Sequence, residues 1–205
     1  PFRTDAKYQR GPQLIIGHFG SLSDTRSLLP VVEAMDTLLT MQPEIRSEIR
    51  VHVYGGSIDA RAAKEIARRN LGDVFVCFGR LEKSTETGKS GREQVVDLMH
   101  QVDWLLLVHG NIEDCREYIP SKLYEYLWAG RPIIALTYKN PQLARMLAER
   151  KSIIAASDRQ DEVIAALKKA YGDWKADRLP HSPLPAVGVG QAVDAILEAL
   201  DRLAS

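Results

Sequence analysis

Trp104-Leu105-Leu106-Leu107-Val108 is apolar at every position. A strand with one wet face alternates apolar and polar side chains. An unbroken apolar run reads instead as a strand buried on both faces, the condition of a parallel sheet covered by helices. The same character returns at Ile133–Leu136, after helical spacing at Ser121–Ala129. Toward the amino terminus, Leu14–Phe19, Val51–Tyr54 and Val74–Phe78 are further strand candidates, and Ile153–Ala156 is the last. Leu28, Leu29, Val32, Met35, Leu38 and Leu39 recur at three and four, an apolar helical stripe that Asp24 or Ser23 is placed to cap. Ala60–Asn70, Glu93–Val102, Gln142–Arg150 and Glu162–Tyr171 read the same way. Strand and helix alternate throughout, which predicts an α/β fold, a doubly wound six-stranded parallel Rossmann-like sheet with right-handed crossovers.

Two segments break the rhythm. Arg80–Gly91 is strongly polar and reads as an exposed, mobile loop. Leu179–Gly190 carries Pro180, Pro183, Pro185, Gly188 and Gly190, which excludes helix and central strand. The expected organisation is therefore one domain over 1–178, then a Pro/Gly-rich connector and a terminal helix over 179–205. That helix, at about Gln191–Leu203, lines up Val193, Ile196, Leu197, Leu200 and Leu203 on one side.

The chain has 205 residues, 45% of them hydrophobic, with 27 Lys+Arg against 27 Asp+Glu. Zero net charge argues against a nucleic-acid binder, which usually carries a basic excess, while leaving room for a local cationic patch. Cys77 and Cys115 cannot form a disulfide framework or by themselves a four-ligand zinc site, and a reduced, cytoplasmic setting is the expectation. No apolar run reaches the ~20 residues that span a bilayer. The start at Pro1 without a methionine reads as a piece of something longer.

In an open α/β sheet, ligands bind outside the carboxyl ends of the strands. The residues there are His18, Gly20, Ser21 and Arg26 after the first strand, Gly55 and Gly56 after the second, Gly79 and Arg80 after the third, and His109 and Gly110 after the fourth. Glycines at these strand ends suit close approach of backbone to ligand, and equally suit plain tight turns. Gly17-His18-Phe19-Gly20 is not G-x-G-x-x-G, and no G-x-x-x-x-G-K-[ST] or G-x-S-x-G occurs. The five histidines have no metal-ligand spacing, so no metal site is expected. His52 reads as structural, and His109 as a residue lining the site.

The stretch Glu117-Tyr118-Ile119-Pro120-Ser121-Lys122-Leu123-Tyr124-Glu125 carries the chemistry. Pro120 fits the first position of a helix, where a missing N–H costs nothing, and Gly130 ends that helix before Pro132. A helix start at a strand end offers free N–H groups and a positive dipole end to a phosphate, and Lys122 adds a full charge. Glu125 lies one turn after Ser121, and a carboxylate there can accept both hydrogens of a vicinal diol such as a ribose. The same spacing also fits an ordinary amphipathic helix with Leu123, Tyr126 and Leu127 inward and Glu125 in solvent.

Glu117 and Glu125, with seven residues between them, and Glu125-Tyr-Leu-Trp-Ala-Gly130-Arg-Pro132 resemble the E-x7-E motif and the stretch that closes it in GT-B glycosyltransferases of retaining family 4, the group 1 glycosyl transferases. Pro120-Ser-Lys-Leu-Tyr-Glu-Tyr126 is similar to the variant found in bacterial envelope and exopolysaccharide sugar transferases. His18-Phe-Gly20-Ser-Leu22, Val53-Tyr-Gly-Gly56, Val76-Cys-Phe-Gly79-Arg and Val102-Asp103-Trp104 fall in the order of that family's carboxyl-terminal domain, over about residues 13–172. The resemblance implies a donor-binding domain for a nucleotide diphosphate sugar. Glu117 would lie on the sugar hydroxyls, Glu125 on the ribose, and the backbone from Ile119 through Pro120 and Ser121 to Lys122 on the diphosphate. Arg26 stands at the Lys position of the family's basic pair and Ser21 at its Arg position, so half of that clamp is absent and Lys122 is placed to compensate. Gly20 and Arg80 complete the expected donor site, and Glu117, Arg26 and Lys122 its catalytic groups. The resemblance further implies transfer with retention and no metal cofactor. It implies an acceptor-binding amino-terminal domain in the same polypeptide and a location in the cytoplasm or at the inner face of a membrane, with peripheral membrane association through the other domain. It also implies little turnover by this piece alone. A nucleotide-sugar epimerase and a non-catalytic interaction module of the same fold are the alternatives.

Overall fold

The computed structural model describes residues 4–180. The connector from residue 181 onward and the expected terminal helix lie outside the described residues. The strands are β1 Leu14–Phe19, β2 Ile49–Tyr54, β3 Phe75–Gly79, β4 Trp104–Val108, β5 Ile133–Thr137 and β6 Ile153–Ala156. The helices between and after them are α1 Leu29–Met41, α2 Ala60–Arg68, α3 Gly91–Gln101, α4 Ser121–Ala129, α5 Pro141–Ala148 and α6 Gln160–Lys175. The sheet order is β3-β2-β1-β4-β5-β6, and every pair is parallel. Strand order therefore reverses between β1 and β4.

Period-two alternation divides the apolar side chains between two layers. Leu14 and Ile16 of β1 and Leu106 and Val108 of β4 face the layer built by α1, α2 and α6, with Val32, Met35, Ala62 and Leu167 in it. Phe19 of β1 and Leu105 and Leu107 of β4 face α3, α4 and α5, with Met99, Leu123, Tyr126 and Leu143. Covering the sheet on both faces is what its unbroken apolar strands require.

Several local expectations are corrected. Neither Asp24 nor Ser23 caps α1, whose N-cap Leu28 has no side-chain cap. Ser23 instead pairs with Arg26 in a tight turn. The buried Asp59 serves both helix starts. Its carboxylate accepts from Leu28 N at 2.9 Å, Ser27 Oγ at 2.8 Å and Ala62 N at 3.1 Å, the last bond being the N-cap of α2. Pro120 is the N-cap of α4 rather than its first helical residue, because its ψ of 130° is extended. Gly130 closes α4 with φ 66°, as expected of a glycine at a left-handed C-cap. The Arg80–Gly91 segment is exposed but braced. Gln94 Nε2 donates to the Glu82 carbonyl at 2.6 Å, Ser84 N to Lys89 O at 2.9 Å, and Leu81 packs against the second layer. Ser90 and Glu93 then form a capping box that starts α3.

The end of the sheet away from the strand carboxyl termini is locked separately. Asp103 accepts from Ile15 N at 2.7 Å and Tyr8 Oη at 2.5 Å, while the Arg131 guanidinium lies 3.5 Å over the Tyr8 ring and donates to the Val102 carbonyl. Asp103 and Arg131, which fall within the family-like motifs, are thus structural.

Candidate functional site

β1 and β4 pair only at Ile16 with Trp104 and at Gly17 with Leu105. Beyond Gly17 the strands part, and backbone groups that a ladder would satisfy turn to side chains. Tyr126 of α4, fully buried, accepts from Phe19 N at 3.0 Å and donates to the Leu106 carbonyl at 3.2 Å. His18 Nδ1 lies 3.0 Å from that same carbonyl. The opening between the strands lies at the reversal of strand order, where open α/β sheets place their ligands.

Two cavities meet there. The smaller, of about 140 Å³, has Ser21, Arg26, Pro120, Ser121 and Lys122 in its wall and His18 at its base. The larger, of about 410 Å³, extends from Lys122 past Tyr54 to Arg80, Lys83 and Arg92. Phe19, Gly20 and Lys122 line both, so the two are continuous around the Gly20 turn. Gly20 has φ 142°, a conformation that favours glycine, and a Cβ there would lie 3.7 Å from Lys122 Cε. Phe19 and Tyr54 stack at 4.9 Å, and Tyr54 and Phe78 at 4.7 Å, forming an aromatic wall beside the larger cavity.

Charge in this crevice has one sign apart from two carboxylates. Arg26, Arg80, Lys83, Arg92 and Lys122 line it, against Glu82 and the adjacent Glu125. Glu125 Oε2 holds Lys122 Nζ at 2.8 Å and Arg92 Nη1 at 3.1 Å. Burial pushes its carboxyl up, but Lys122 and Arg92 outweigh burial and hold it below the ordinary value, so Glu125 is a carboxylate. Arg26 makes no ion pair among the described residues, and its Cγ lies 3.7 Å from where a Cβ on Gly110 would stand.

Gly20, Ser21, Arg26, Arg80, Pro120, Ser121 and Lys122 all come together around the crevice, and Glu125 joins them through Lys122 and Arg92. Glu117 does not. It is exposed on the loop before α4 and lines neither cavity. Ile119 turns its side chain toward the second core layer. His109 is buried, its Nε2 2.9 Å from the Tyr118 carbonyl, and it lines neither cavity, so it shapes the loop that precedes α4. His52 lies 3.1 Å from Tyr54 Oη, consistent with a structural place. Arg92, Lys83 and Tyr54 are additions. Arg92 was hidden as a polar residue in the first turn of an amphipathic helix, and only the strand order brings it to Glu125. Among the described residues no group of three or more His, Cys, Asp or Glu side chains is arranged to hold a metal ion. Nor is any helix there long and apolar enough to cross a membrane.

No family model matches the sequence, and no curated protein matches it. Solved structures do. An α,α-trehalose-phosphate synthase (UDP-forming) from Burkholderia vietnamiensis superposes with a TM-score of 0.60 at 13% identity, over 82% of this chain and 38% of its own. HepE of Anabaena, solved in complex with UDP-glucose, gives 0.56 at 14% identity, over 82% of this chain and 41% of its own. The carboxyl-terminal domain of a group 1 glycosyl transferase, LpcC of Francisella tularensis, gives 0.56 at 13% identity, over 84% of this chain and 88% of that domain. At these identities the likeness is one of fold. The chain has the architecture of a GT-B glycosyltransferase carboxyl-terminal domain, and it spans about two-fifths of the length of the first two enzymes.

Proposed function

We propose that this chain is the donor-binding half of a retaining glycosyltransferase that uses a nucleotide diphosphate sugar, in the synthesis of a cell-envelope or extracellular polysaccharide. The observation that carries the reading is the Lys122–Glu125 pair at the start of α4, set between two joined cavities at the reversal of strand order. The larger cavity takes the nucleoside, with Glu125 accepting from the ribose diol. The diphosphate lies over the Gly20 turn and the first N–H groups of α4, between Lys122 and Arg26. The smaller cavity takes the sugar.

In this reading the anomeric carbon–oxygen bond to the diphosphate breaks, and the acceptor oxygen bonds to the same face of the sugar. Negative charge grows on the leaving diphosphate in the transition state. Lys122, Arg26 and the α4 N-terminus border the place where that charge grows, and the chain's own groups meet it without a metal. Glu117 is positioned to reach the sugar only if the loop before α4 folds inward over it. The acceptor is held by a second domain of the same polypeptide, and the chain alone turns over little.

Calorimetric titration with UDP, GDP and their sugars tests the reading, repeated on Glu125→Ala and Arg26→Ala. Binding by the native chain and loss in both variants is the expected result. Absence of any nucleotide binding at millimolar concentration refutes it, and undiminished affinity in both variants refutes the site. An epimerised product would convert the reading to that of an epimerase.

A further inference from the structure

The smaller cavity has a polar atom at its base that the protein itself leaves unused. His18 Nε2 is buried without a hydrogen-bond partner among the described residues, and the residue as a whole is 6% exposed. Its other ring nitrogen is committed, 3.0 Å from the Leu106 carbonyl oxygen. A carbonyl only accepts, so Nδ1 carries the hydrogen and Nε2 presents a bare lone pair. Burial, with Lys122 and Arg26 nearby, keeps the ring uncharged. A Cβ on Gly20 would lie 4.0 Å from Nε2 and 3.7 Å from Lys122 Cε, which sets the lone pair just beneath the glycine turn and beside the cation.

Buried polar atoms are nearly always paired, so one left unpaired beside a cavity calls for a partner from outside the chain. What pairs with a bare lone pair must bring a hydrogen. The oxygens of an ionised diphosphate bring none and are repelled by it. They belong with Lys122 and Arg26. A sugar hydroxyl brings one. We propose that His18 Nε2 accepts a hydrogen bond from a hydroxyl of the donor's sugar ring, so that His18 reads the sugar while its cationic neighbours hold the diphosphate. The proposal rests on the nucleotide-sugar reading above and adds a specificity residue to it.

His18→Asn separates the two nitrogens, because an amide N–H can still serve the Leu106 carbonyl while Nε2 is gone. The 205-residue chain and this variant are titrated with UDP, GDP, UDP-glucose, UDP-galactose, UDP-N-acetylglucosamine and GDP-mannose. Affinity for the tightest-binding nucleotide sugar is expected to fall about 3- to 10-fold, the scale of one neutral hydrogen bond, with affinity for the bare diphosphate unchanged. Equal loss for both would make His18 a prop of the crevice and overturn the proposal, as would no loss for either. Those outcomes leave the nucleotide-sugar reading standing, whereas a native chain that binds none of the probes removes both. Nitrogen-15 spectra of the native chain give a readout independent of any variant. The Nε2 resonance should move on adding the nucleotide sugar, remain that of an unprotonated nitrogen, and stay unmoved by the bare diphosphate. A protonated Nε2 in the complex would overturn the proposal.

Discussion

Tyr126→Phe isolates the device that holds the crevice open. The change removes one buried hydroxyl and almost no volume, so packing is not at issue. Phe19 N, which donates to that hydroxyl at 3.0 Å, loses its partner. The Leu106 carbonyl does not, since His18 Nδ1 remains 3.0 Å away. The cost is therefore one orphaned buried donor, about 2 kcal/mol within the usual range of ~1–3. With a urea m value of about 2 kcal/mol/M, the unfolding midpoint falls by about 1 M at unchanged slope. His18→Leu is the converse case, because Tyr126 Oη still donates to Leu106 O at 3.2 Å. Only the double variant strips that carbonyl of both partners. Its loss should exceed the sum of the single losses by about 1 kcal/mol, since the carbonyl's full desolvation cost appears only then. A midpoint shift below about 0.3 M for Tyr126→Phe, or additivity within ~0.3 kcal/mol, would refute the shared-carbonyl account.

Three further outcomes follow from the same geometry. Asp59→Ala removes the α2 cap and leaves Leu28 N and Ser27 Oγ without their acceptor, so stability should drop by roughly 3 kcal/mol in urea unfolding, and a loss under about 1 kcal/mol would deny the carboxylate its double role. Burial lowers the His18 ring from 6.5 to about 4, so between these values the unfolded chain binds a proton that the folded chain does not. Its contribution is complete above the upper value and is lost as pH falls toward the lower, by roughly 3 kcal/mol, and His18→Asn should flatten that limb of the stability profile relative to the native chain. Lys122→Met should weaken UDP or GDP binding roughly tenfold and reduce its salt dependence, measured by calorimetry at two ionic strengths, whereas an unchanged affinity would remove Lys122 from the diphosphate.

The sheet was legible because its strands are unbroken apolar runs, and a run such as Leu105 to Val108 has few other places to go in a chain of this size. Strand ends also pointed to Gly20, Ser21, Arg26 and Arg80, which line the crevice, and to His109, which does not. How the start of α1 is held was not legible, because the carboxylate that accepts from Leu28 N comes from Asp59, thirty-one residues further on, outside any local scan of the Ser, Thr and Asp residues between 21 and 27. Arg92 was missed for a related reason. Its distance from Glu125 is a product of strand order, which brings α3 beside α4 on one face of the sheet. His18 was visible as a strand-end residue, but its orphaned nitrogen depends on β1 and β4 parting just before it.

Under the proposed function, that parting also bears on how a chain of zero net charge would hold a diphosphate. A cluster of cations without counter-charge would destabilise the empty fold by self-repulsion, and a buried carboxylate without cations would repel the ligand. Lys122 answers both conditions. In the structure its ammonium lies on Glu125 at 2.8 Å, while its stem passes beside Gly20 above His18. A diphosphate bound between Arg26 and the start of α4 would share that cavity with Lys122 and would compete with Glu125 for its ammonium. Glu125 keeps Arg92 at 3.1 Å and frees lone pairs for a ribose diol. The exchange swaps one anion for another at Lys122 and leaves no charge unpaired. In that reading, binding of the diphosphate and release of the ribose-holding carboxylate are one event, so Lys122→Met should weaken a nucleoside diphosphate and, by freeing Glu125 beforehand, tighten the bare nucleoside. A nucleoside affinity left unchanged by Lys122→Met would mean that Lys122 and Glu125 act independently.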